Sequence, residues 1–169
     1  MRKNLFWAVT VIAVALIQTT WLDAIRLQGV LPDLTLLLVV YFAVAEGEER
    51  AMFTGVLGGA YQDVAGGALL GHHILCHVVV GYLVGRVARR LITEHPAVKA
   101  GLVLCASVVH GILFTGIAYV QKPEMSALYT LATSVVPGAF YTALLTPAAF
   151  LVLAAVFSRK GHPLQGEAT

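Results

Sequence analysis

The sequence predicts an all-α membrane protein: a single bundle of six transmembrane helices with its N- and C-termini cytoplasmic. Three observations predict it. Of the 169 residues, 59% are hydrophobic and 12% charged, with a mean hydropathy of +0.83, whereas a soluble domain carries about 25% charged residues. The charges fall in short clusters between apolar runs, several of which approach the roughly 20 residues a helix needs to cross a bilayer. The basic residues also alternate in sidedness along those runs, as the excess of Lys and Arg in cytoplasmic loops requires. A soluble core would need polar helix faces that these runs lack, and a net charge of +2 is too small to suggest a nucleic-acid partner.

Span one (residues 5–22) follows Arg2 and Lys3 and so resembles a signal peptide. However, "IQTTWL" offers no small-residue cleavage spacing and Ala13 and Ala15 lie in mid-run, so it reads as a retained helix. Span two (31–45) opens on Pro32 and Asp33, a proline and an acid that suit a helix N-terminus. Span three (51–65) follows the polar "EGEER". Spans two and three are short, which leaves open little tilt, a locally thinned bilayer, or a tight helical hairpin around that turn. Span four (69–91) carries "HHILCH" near one end and Arg86, Arg89 and Arg90 at the other. Span five covers 98–120. Span six (128–157) is interrupted by Pro137 and Pro147, each removing a backbone donor and expected to kink it. The polar tail, 158–169, is expected to be disordered and cytoplasmic.

With the N-terminus inside, the cytoplasmic side receives Arg2, Lys3, Arg50, Arg86, Arg89, Arg90, Lys99, Arg159 and Lys160, and the outside only Arg26 and Lys122. An odd number of spans would put the basic tail on the wrong side. Cys76 and Cys105 sit in apolar segments and read as free small hydrophobes rather than a disulfide. Gly55 with Gly59, and Gly81 with Gly85, recur at four-residue spacing, which lets backbones approach closely, within the bundle or at an oligomer interface.

Ionisable groups within a span are costly and are therefore candidates for function. At about 1.5 Å per residue, Asp63 lies roughly 18 Å from the cytoplasmic start of its span. His72, His73 and His77 descend from the outer rim to about 12 Å, and Gln18 and His110 lie roughly 20 Å from their cytoplasmic ends. Gln18, Asp33, Asp63, His73, His77 and His110 thus form one polar layer in the outer half. It either lines an outward-facing cavity or bonds helices together.

His73 and His77 share a helix face at the spacing zinc sites use, and Asp63 is within reach as an oxygen donor. Ile74, Leu75 and Cys76 stand between them where a catalytic zinc helix has a glutamate, so the expectation is hydrogen bonding or a pH-sensitive pair with Asp63, and no metal or cofactor. No "GxSxG" or phosphate-binding "GxxxxGK[ST]" occurs. Asp33 and Asp63 lack the Tyr or Gly pattern that flanks an intramembrane aspartyl dyad, and the chain reads as no enzyme.

Residues 31–87 resemble the rod shape-determining protein MreD family. The pattern is Pro32-Asp33 before a Leu-rich span, a short polar turn, Gly55 and Gly59 leading to Asp63, a small-residue turn into Leu70-Gly71, and Tyr82. The resemblance implies a non-catalytic scaffold in the bacterial cytoplasmic membrane that binds MreC. It further implies MreB on the cytoplasmic side, the wall-synthesis glycosyltransferase/transpeptidase pair, lateral peptidoglycan synthesis as the process served, and membrane lipid around the bundle. It assigns no part to the histidines. The six-helix layout with an outer cavity is also similar to the substrate-binding subunits of energy-coupling-factor vitamin transporters, the alternative reading. Those subunits carry an Ala-xxx-Ala docking motif on the first helix, a spacing that Ala8, Ala13 and Ala15 never meet.

Overall fold

The computed structural model describes residues 2–20, 31–66, 71–91, 95–121, 123 and 126–158. All secondary structure among them is helical: α1 (Arg2–Thr20), α2 (Leu34–Ala45), α3 (Glu48–Ala65), α4 (His72–Ala88), α5 (Pro96–Gln121), α6 (Ala127–Thr130), a π-helical segment (Leu131–Val135) and α7 (Val136–Ser158). The end of the expected first span, the start of the fourth at 69–70, Arg26, Lys122 and residues 159–169 of the tail lie outside the described residues. Two helical stretches, Pro96–Gln121 and Ala127–Phe157, are long and apolar enough to cross a membrane, and three shorter apolar helices accompany them.

α2 is the hub. Residues 35–43 are all buried, and the helix packs against α1, α3, α4, α5 and α7. A helix apolar around its whole circumference has no polar face to present and belongs in the middle of a bundle. With 12 residues it is about 18 Å long, well short of the roughly 30 Å bilayer core. Glu46 and Gly47 then reverse the chain directly into α3: the N–H groups of both donate to the Phe42 carbonyl, at 2.8 and 3.1 Å. Gly47 has φ +91°, a conformation that costs a side chain its usual backbone wells.

The most extensive helix pair is α3 with α4. Inside lipid, close van der Waals packing rather than water exclusion holds helices together, and small residues permit it. A Cβ on Gly59 would lie 2.7 Å from Ile74 Cα, and one on Gly85 would lie 2.6 Å from Glu48 Cα. Gly55 meets the His77 backbone and Gly81 that of Ala51 in the same way. All four glycines of the two four-residue pairs are therefore consumed in one intramolecular seam.

The expected sixth span is a continuous helical stretch with a π segment just before Pro137. A proline ring collides with the carbonyl four residues earlier, here that of Thr133, and widening that turn relieves the collision. Pro147 lies within α7, which continues past it.

The two ends of the bundle differ. At one end Phe6 and Phe157 meet with ring centroids 5.5 Å apart, so the start of α1 and the finish of α7 are together. Arg50 donates to Asn4 Oδ1 at 3.0 Å, pairs with Glu46 and stacks on Trp7, while Arg89 of the α4 terminus pairs with Glu48. The Trp7 indole N–H donates to Thr54 Oγ1 at 3.1 Å, and Tyr41, Phe42 and Phe150 complete an aromatic cluster. The opposite end, called the polar end below, gathers Asp33, Asp63 and the histidines of α4 and α5. Cys76 and Cys105 are both free.

Candidate functional site

At the polar end, two carboxylates each organise a helix N-terminus. Asp33 caps its own helix: Oδ1 accepts the Leu36 N–H at 2.9 Å, as Pro32-Asp33 at the start of an apolar run predicts. Asp63, 1% exposed, caps the next helix instead. Its oxygens accept the backbone N–H groups of Gly71 at 2.8 Å, His73 at 2.9 Å and Ile74 at 3.4 Å, and also the His73 Nδ1–H at 2.9 Å. The first N–H groups of α4 have no partner within their own helix, and the positive end of the helix dipole favours the anion. Gly71, at φ +103°, turns the chain so that these donors face back toward α3. With four donors on two oxygens, Asp63 has no lone pair left to offer a reacting molecule.

The histidines separate into different environments. His72 donates from Nε2 to the Phe114 carbonyl at 3.1 Å and stacks on that ring at 4.0 Å. His73 belongs to Asp63. His77, fully buried, donates from Nδ1 to the His73 carbonyl at 2.8 Å and turns Nε2 the other way. That Nε2 lies 3.6 Å from Asp33 Oδ2, and His110 Nδ1 lies 3.9 Å from the same oxygen. The His77 and His110 rings are 4.5 Å apart. Neither His77 Nε2 nor His110 Nε2 has a hydrogen-bond partner, and both atoms are buried.

Beside this group lies a cavity of about 400 Å³, lined among others by Gln18, Asp33, Gln62, His73, His110 and Thr142. Of the residues singled out from the sequence, Gln18, Asp33, His73 and His110 line it. His77 stands behind Asp33 and His110, and Asp63 behind His73. Gln18 braces the start of α2, its Oε1 accepting the Leu34 N–H at 2.8 Å and its Nε2 donating to the Pro32 carbonyl at 3.1 Å. Gly81, Gly85 and Tyr82 lie toward the other end of α4, where Arg86 stacks on the Tyr82 ring.

Sequence reasoning missed the hydroxyl and amide side of the cavity. Thr142 Oγ1 accepts the Asp33 N–H at 3.1 Å, and Gln62 donates to Thr35 Oγ1 at 3.0 Å. The signal was present as periodicity. Ser107, His110, Gly111, Phe114 and Thr115 recur at helical spacing on α5, and Thr130, Ser134, Gly138 and Thr142 recur every four residues along the last rod; all of them line the cavity.

A family model described as rod shape-determining protein MreD matches residues 1–158 of the chain. No curated protein and no solved structure matches it.

Proposed function

The chain belongs to the MreD family of rod shape-determining proteins, and on that premise we propose that it is a non-catalytic integral scaffold of the bacterial cell-elongation complex. Family membership carries the role in rod shape determination and the place in a shape-determining complex. The proposal adds that the protein lies in the cytoplasmic membrane as six spans, α1, α2, α3, α4, α5 and the α6–α7 rod, with both termini on the cytoplasmic side. It binds the transmembrane helix of MreC, stands above MreB, and helps control lateral peptidoglycan synthesis by the glycosyltransferase/transpeptidase pair.

The family match over residues 1–158 is the observation that carries this reading. The saturation of Asp63 by four donors supports a structural rather than catalytic use of the buried acid. Because Gly55, Gly59, Gly81 and Gly85 are taken up between α3 and α4, the MreC helix docks elsewhere than on that small-residue seam. The family match gives the vitamin-transporter alternative no support.

Depletion of the chain in its own bacterium tests the function. Rod-shaped cells are expected to widen and round up, with restoration by the intact chain. Retained rod shape together with a defect in vitamin uptake would favour a transporter subunit.

A further inference from the structure

The geometry points to a binding site for one divalent transition-metal ion formed by Asp33, His77 and His110, tying α2, α4 and α5 together at the edge of the cavity. This goes beyond the scaffold reading and does not depend on it. One ligand atom from each of the three residues lies within 4.8 Å of the other two. Their separations of 3.6 and 3.9 Å from Asp33 Oδ2 are too long for hydrogen bonds. Ligands held about 2.0–2.2 Å from a zinc ion at tetrahedral angles stand roughly 3.3–3.6 Å apart, so the two separations from Asp33 are near those of a bound ion, and the widest pair, at up to 4.8 Å, closes by about 1.2 Å on binding.

Hydrogen bonds orient the ligands. The His77 Nδ1–H is committed to the His73 carbonyl, so Nε2 is the atom turned toward Asp33, buried and without a hydrogen-bond partner. A backbone carbonyl holding the far nitrogen of a histidine is the arrangement that orients metal-ligating imidazoles, and the Leu36 N–H on Asp33 Oδ1 fixes the carboxylate in the same way. His110 adds a third donor through Nδ1, 3.9 Å from Asp33 Oδ2. Two imidazoles and one carboxylate suit zinc or its transition-metal neighbours better than magnesium or calcium. Asp33 and His110 line the cavity, so the remaining coordination position faces a space where water or a small ligand fits. The paired His73 and His77 of "HHILCH" are thus split: His73 serves Asp63, and His77 is the metal ligand.

The test uses the full chain in detergent, without a polyhistidine tag, loaded with Zn²⁺ and dialysed, with parallel loading by Co²⁺. About one zinc per chain and visible cobalt bands of a low-coordinate N/O site are expected. Asp33→Asn, His77→Gln and His110→Gln should each weaken zinc at least about ten-fold, whereas His72→Gln and His95→Gln retain it. Wild-type protein that holds no zinc and gives no cobalt bands would overturn the site. Loss of metal from His72→Gln or His95→Gln as large as that from the three ligand variants would overturn it too. The wild-type loading decides the question even where a variant does not fold.

Discussion

The role of Asp33 was legible at the scale of single residues, because an acid after proline at the start of an apolar run is a local signal. That of Asp63 was legible only as a buried acid. Its partners lie eight to eleven residues ahead and meet it only once the α3–α4 hairpin closes. The carboxylate that each histidine faces depends on helix rotation, which spacing alone does not set. Asp63→Ala leaves the α4 donors unpaired in a buried place and should destabilise the protein by about 2–4 kcal/mol. His72→Ala, which loses one hydrogen bond and one stacked ring, should cost about 1 kcal/mol less than Asp63→Ala. Thermal unfolding in detergent measures both, and equal midpoints for the two variants would contradict the capping role.

Among the elements, the apolar runs located helices close to where they lie, since run length and breakers are local properties. The identity of the seam was not legible, because four-residue glycine spacing says that something approaches closely without saying what. Gly85→Ala would bring a Cβ against the Glu48 backbone, and Gly59→Ala against that of Ile74, so each should cost about 1–3 kcal/mol as the seam opens. Gly101→Ala is the control: nothing lies within 4 Å of its Cβ position, and removing a helical glycine should be neutral or stabilising by up to about 1 kcal/mol. The same detergent unfolding assay should rank them in that order. A tolerant Gly85→Ala would mean that α3 and α4 are not in backbone contact.

On the scale of the whole molecule, composition and basic-residue sidedness predicted a helical membrane bundle, but not which helix occupies its centre. In lipid the face toward the bilayer is as apolar as the face toward a neighbouring helix, so buried Leu37 and exposed Leu144 look alike in sequence. The Ser, Thr and Gly side of the cavity escaped for a related reason: those residues are too mildly polar to interrupt an apolar run. The proposed topology places Gln121 outside and Leu91 in the cytoplasm. In a background without the native cysteines, Gln121→Cys should react with an impermeant thiol reagent in spheroplasts, and Leu91→Cys only after permeabilisation; the reverse pattern would invert the bundle. The scaffold claim is tested most directly by isolating the tagged chain from its own membranes in mild detergent and identifying what remains bound. The account predicts a stable complex containing MreC, and recovery of a transporter ATPase module with no MreC would contradict it.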